Sequence, residues 1–126
     1  MKRLLLIVLA LAAGCSHPQR TAPEPRDLVW VATVYTGGVQ CARTDTYRPP
    51  NTVEVLRGVR VPVYGFLREP LPVCEACSCP SYSSRHYVLI ARRDADRAAR
   101  AGYPPRNPPP GALPADYSPP RQPITP

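Results

Sequence analysis

The chain has 126 residues, 16 of them basic and 9 acidic for a net charge of +7, with 19 prolines and 5 cysteines. That length holds at most one modest domain, and a charge this positive would by itself invite a nucleic-acid partner. The arginines are scattered rather than gathered on one stripe, and the N-terminus points out of the cytosol, so no nucleic acid is expected as a partner.

The first element is MKRLLLIVLALAAGC, a basic head of Lys2 and Arg3 followed by an apolar run from Leu4 to Ala13. A permanent membrane helix needs about 20 apolar residues, so this shorter run reads as the core of an export signal. Its end, LAAGC, resembles the lipobox of bacterial lipoproteins, with Ala12 where that family usually carries leucine. The resemblance covers residues 1–15 only. It implies that signal peptidase II removes residues 1–14 and leaves Cys15 as the first mature residue. The sulfur of Cys15 then carries diacylglycerol, and its amino group a fatty acid such as palmitate. Several chains on one residue make a firm membrane anchor, at about 0.8 kcal/mol per buried CH₂. In this family an aspartate after the cysteine favours inner-membrane retention. Ser16 therefore leans toward the periplasmic face of the outer membrane in a host with two membranes. Loss of Lys2 and Arg3 leaves 14 basic against 9 acidic residues, a net +5.

Residues 15–27 form an extended, proline-containing tether, with His17 too close to the anchor to serve as a catalyst. Residues 28–102 carry the pattern of a fold. LVWVATVY (28–35) is apolar and β-branched on both faces, as a central buried strand would be. Thr36-Gly37-Gly38 ends it as a turn; a phosphate cradle would need a longer glycine loop opening onto a helix. Pro50 or Asn51 starts a short helix over TVEVLRG, and Gly58 stops it. VRVPVYGFL (59–67) alternates as an edge strand interrupted by Pro62, residues 69–84 form a loop, and HYVLIA (86–91) is a third strand. RRDADRAARAG (92–102) is a helix, supported by Asp94–Arg97 and Asp96–Arg100 pairs, with Gly102 beyond its end and Pro104 forbidding continuation. The order predicts a small α+β fold, two short helices on a mostly antiparallel three-stranded sheet. Residues 103–126, with ten prolines in 24 residues, read as a disordered proline-rich tail.

Four cysteines remain, Cys41 and the cluster CEACSCP with Cys74, Cys77 and Cys79. A layer of this size is marginal without a staple, and an even number of thiols in an exported domain favours disulfides. A Cys77–Cys79 bridge would strain a very small ring. Cys41 is therefore expected to reach Cys77 or Cys79, with Cys74 taking the other. Two further chemistries use the same residues. Cys41, Cys74, Cys77 and Cys79, with His86 as a possible replacement ligand, can wrap zinc or copper. Cys74 and Cys77 alone form a CxxC for thiol–disulfide exchange, although Glu75 opposes a thiolate there and no helix follows.

His86 is the one histidine of the folded part and reads as a packing or surface residue. Ser83-Ser84-Arg85-His86 is adjacency in sequence without a triad, Asp45, Tyr47 and Arg48 read as rim polar groups, and Trp30 and Tyr35 as core aromatics. The expectation is a non-enzymatic, disulfide-braced envelope lipoprotein. Its partners are the membrane, through Cys15, and an envelope protein or polymer, with no cofactor.

Overall fold

The computed structural model describes residues 22–44, 46–113 and 119–126. The expected signal, Cys15, Ser16, His17 and Asp45 lie outside the described residues. A 3-10 turn at Pro25–Asp27 leads into strand β1, Leu28–Gly37. Helix α1 (Thr52–Gly58), strands β2 (Val63–Pro70) and β3 (Tyr82–Ala91), a second 3-10 turn (Arg92–Asp94) and helix α2 (Ala95–Arg100) follow. The strands make one antiparallel sheet in the order β1-β3-β2, which is the small α+β layer that the sequence predicts. Among the described residues no helix is long and apolar enough to cross a membrane.

The sheet order corrects one expectation. β1 lies at an edge and β3 is central, paired along its whole length with β1 and over most of it with β2. β1 is nonetheless apolar on both faces because both are packed. Val31 joins Leu56, Val61, Val63, Val88, Ile90, Ala98 and Tyr103 in the core between helices and sheet. On the opposite face Leu28 and Trp30 pack with Tyr64, Leu89 and Ala91. β2 is an edge strand as expected, but it begins only after Pro62, whose ring has no N–H to give a ladder. It extends to Pro70, and β3 starts at Tyr82, so the loop expected over 69–84 is shorter at both ends. A register shift between Val63 and Gly65 reads as a bulge, and it leaves Val63 and Tyr64 both buried.

The helix ends are set by local chemistry. The Asn51 side chain accepts from the backbone N–H groups of Val53 (3.0 Å) and Glu54 (3.4 Å), capping α1. α1 ends at Gly58 as expected, and the chain then turns away through a left-handed residue, Arg60 (φ 60°). The Val61 N–H returns to the Leu56 carbonyl (2.9 Å) and the Arg60 N–H to that of Arg57 (2.8 Å), the paired bonds of a Schellman motif. α2 repeats the motif with the expected glycine: Gly102 (φ 92°) bonds to Ala99 (3.0 Å) and Tyr103 to Ala98 (2.9 Å). The segment expected as one helix over 92–102 is split, with a 3-10 turn before the α-helix. A side chain held left-handed costs about 1–2 kcal/mol relative to glycine. Arg60→Gly is therefore expected to stabilise the fold by about 1 kcal/mol, read as a higher urea midpoint at unchanged slope.

The fold does not stop at residue 102. Tyr103 is 1% exposed in the core. The Pro104 carbonyl accepts from the Ala32 N–H (3.0 Å) and the Arg106 N–H donates to the Trp30 carbonyl (3.0 Å), with Pro105 bridging Val31. Pro104–Arg106 thus line the free edge of β1. The expected boundary between domain and tail falls short because Tyr103, the hydrophobic residue following the left-handed glycine, packs back on α2.

Candidate functional site

The loops at one end of the sheet are clasped by two disulfides, Cys41–Cys77 and Cys74–Cys79. Gln40 tightens the same junction. Its backbone N–H donates to the Cys79 carbonyl (2.9 Å), and its side-chain amide donates to the carbonyls of Cys74 (2.7 Å) and Pro80 (3.3 Å). Cys41 itself is left-handed (φ 62°), a conformation that its bridge to Cys77 holds in place. This pairing bears on the two further chemistries that the sequence leaves open. A thiolate cage for zinc or copper needs free sulfurs, and all four are spent in bridges. The CxxC pair is not a pair, because Cys74 and Cys77 belong to different disulfides. Among the described residues no group of three or more histidine, cysteine, aspartate or glutamate side chains is placed to hold a metal ion.

Beside the clasp lies an arrangement that the sequence does not announce. His86 sits within β3, 5% exposed, and both of its ring nitrogens are engaged. Nδ1 meets the Thr52 hydroxyl at 2.9 Å and Nε2 the Tyr82 hydroxyl at 2.8 Å. Thr52 also hydrogen-bonds Tyr103, whose hydroxyl meets that of Tyr35 at 2.5 Å. A continuous chain of polar groups therefore runs from Tyr35 through Tyr103, Thr52 and His86 to Tyr82. Its five members come from four parts of the fold: β1, the segment after α2, the start of α1, and β3, which carries both His86 and Tyr82. Burial, with the bond to Tyr35, pushes the Tyr103 hydroxyl far above its usual range, so it stays protonated.

Aromatic rings surround the imidazole. Tyr35 meets it edge-on with centroids 5.0 Å apart and Phe66 with centroids 5.3 Å apart, both on the helix-bearing face of the sheet. Tyr82 stands 6.5 Å away, and Tyr47 tilts against Tyr82 at 5.7 Å. Phe66 is 45% exposed, and Tyr35, Tyr47 and Tyr82 are half-buried, so the cluster presents rings to solvent around a buried histidine. Arg68, exposed and directly opposite His86 in the strand register, adds a positive charge. Burial first and Arg68 second push the imidazole below its usual value of 6.5, which keeps it neutral. Tyr35, expected in the core, belongs to this half-exposed cluster instead, and Tyr47 does more than line a rim.

The histidine's depressed value has a signed consequence. The unfolded chain takes up a proton on His86 at higher pH than the folded one does, so protonation favours unfolding. Stability from this group is complete above 6.5 and is lost as pH falls below it toward the folded value. In urea titrations the wild type should weaken through that interval, and His86→Gln should lack the step.

Gly37 contributes space. A Cβ there would overlap the Tyr47 ring, and the ring is the far end of a mobile side chain rather than backbone. Gly37→Ala is therefore expected to swing Tyr47 off Tyr82 while the sheet persists. Near-ultraviolet circular dichroism should change as the far-ultraviolet spectrum stays constant.

The cluster escapes sequence reading because Thr52 lies 34 positions from His86 and Tyr35 lies 68 from Tyr103, and nothing in the sequence singles out Tyr82, four positions before His86, as a partner. One signal is legible in retrospect, the bulky Tyr103 immediately after the helix-ending Gly102. Comparison with family models, with curated proteins and with solved structures finds no match for this chain.

Proposed function

We propose that this chain is an exported lipoprotein, anchored through Cys15, that works by binding and not by catalysis. Its aromatic cluster at the clasped end of the sheet is the face offered to an envelope protein or polymer. The observation that carries the reading is the exposed ring set of Phe66, Tyr35, Tyr47 and Tyr82, held in place by a hydroxyl–imidazole chain whose polar atoms are mutually satisfied. A general base needs a nitrogen within reach of substrate, and both nitrogens of His86 are already committed. Tyrosine and arginine around a half-exposed phenylalanine are instead the residue types that concentrate binding energy at interfaces. Disulfides spanning the adjoining loops keep that surface preformed, which lowers the ordering cost of association.

Two measurements test this. Labelled fatty acid should appear on the wild type in a bacterial host and not on Cys15→Ala, which should also leave the membrane fraction; an unlabelled wild type would end the anchoring claim. A photo-reactive amino acid at Phe66 should cross-link in the envelope, giving a discrete band for a protein or a high-mass smear for a polymer. The same group at Asp96, exposed on α2, should not. Equal adducts at both positions would remove the aromatic cluster from consideration.

A further inference from the structure

At the opposite end of the sheet a broad groove of about 1380 Å³ opens beside the exit of α1 and the start of α2, with part of the C-terminal segment as one wall. The Ile124 N–H, donating to the Val63 carbonyl at 2.5 Å, ties that wall to β2. Among the described residues lining the groove, Arg57, Arg60, Arg93, Arg97 and Arg121 are all exposed. The carboxylate among them, Asp94, is buried and paired with Arg97 at 3.4 Å. Arg97 is further fixed by donating to the Arg60 carbonyl at 2.9 Å, so the guanidinium array is partly preset. Ala22 lines the same groove. Seven peptide steps separate it from Cys15, a reach of at most about 25 Å when extended.

We propose that this arginine-lined groove is the surface with which the anchored protein rests on anionic phospholipid headgroups, seating their phosphates among Arg57, Arg60, Arg93, Arg97 and Arg121. The inference rests on lipidation of Cys15. Given that anchor, the tether enters the domain at the groove, and its length keeps the groove near the bilayer that holds the lipid. Guanidinium groups match phosphate oxygens with two parallel hydrogen bonds each, and attraction to an anionic leaflet adds up residue by residue. A soluble polyanion would meet the same charges, but nothing would hold it at the foot of the tether. Because β2 runs from the groove at Val63 toward the clasped end, where Pro70 pairs with Ser84, seating the groove on lipid turns the aromatic cluster away from the membrane.

The test uses the full-length protein recovered from membranes and reconstituted into vesicles of phosphatidylcholine alone or mixed with phosphatidylglycerol. Arginines are modified with phenylglyoxal and read by peptide mass spectrometry. In the mixed vesicles the five groove arginines should react about threefold more slowly or less, while Arg43 and Arg48, exposed between β1 and α1, should not change. Equal rates in the two vesicle types, or equal protection of Arg43 and Arg48, would overturn the proposal. Flotation with phosphatidylcholine vesicles reads the anchor separately: a protein that fails to float lacks it, yet lipid-dependent protection of the groove would still report the contact. In the double variant Arg57→Glu/Arg93→Glu, protection of Arg60 and Arg121 should disappear while flotation persists; retained protection counts against the groove. Polyphosphate shielding the same arginines where mixed vesicles do not would assign the groove to a polymer and reject the membrane contact.

Discussion

Replacing Cys41 and Cys77 together by serine is expected to lower the unfolding free energy by about 4 kcal/mol, because the bridge closes a loop across a sequence separation of 36. The shorter Cys74–Cys79 bridge, with a separation of 5, should contribute about 2 kcal/mol by the same chain-entropy argument. Small domains have total stabilities of about 5–15 kcal/mol, so losing both leaves little. Urea titration of the wild type with and without dithiothreitol reads the sum, and the two serine pairs read the parts. A midpoint insensitive to reductant would mean that burial alone closes this fold. The clasp also gathers the loop after β1 and the loop before β3, so its loss should loosen Tyr47 and Tyr82 before it disturbs the helices.

A chain ending at Gly102 should fail to fold, whereas one ending at Gly111 should retain the structure. The difference lies in Tyr103 and the three residues after it. Truncating a buried aromatic to alanine costs about 3–5 kcal/mol, and the two backbone hydrogen bonds from Pro104 and Arg106 to β1 add about 1 kcal/mol each. Circular dichroism and the urea midpoint distinguish the two truncations. Tyr103→Phe separates packing from polarity: it keeps the ring but strips the shared hydroxyl from Tyr35 and Thr52, at an expected cost of about 1–2 kcal/mol. If the chain ending at Gly102 proved as stable as the longer one, the buried tyrosine would not belong to the core.

How much of this was legible in the sequence depends on the range of the interaction concerned. Local signals worked. Asn51 before Thr52 and Gly102 before a proline pair mark ends that the structure also has, within a few residues, and Pro62 in an alternating run marks an edge strand, which β2 is. Two sulfur pairings survived the geometric argument, and the fold adopts one of them. The misreadings have non-local causes. A strand apolar on both faces is the usual mark of a sheet centre, but here β1 is covered on one side by the helices and packs Leu28 and Trp30 into a second cluster on the other. Proline content hid the start of the C-terminal segment, because prolines that cannot extend a helix can still flank a sheet edge. The aromatic cluster was the least legible part. His86 gains Thr52 only when α1 docks on β3, and Thr52 gains Tyr103 only when the segment after α2 does, so no window of sequence contains Thr52, Tyr82 and Tyr103 together.

The pairing of Pro104–Arg106 with β1 bears on self-association. A bare outer strand offers unpaired donors and acceptors that recruit another copy, a hazard that grows when molecules are concentrated. Here the strip laid along β1 contains two consecutive residues without an amide proton, so on its outward side it gives a newcomer almost nothing to bond. The other outer strand, β2, ends in Pro70 and is met at its start by Ile124. Over those stretches proline acts as an insulator against pairing with a further copy.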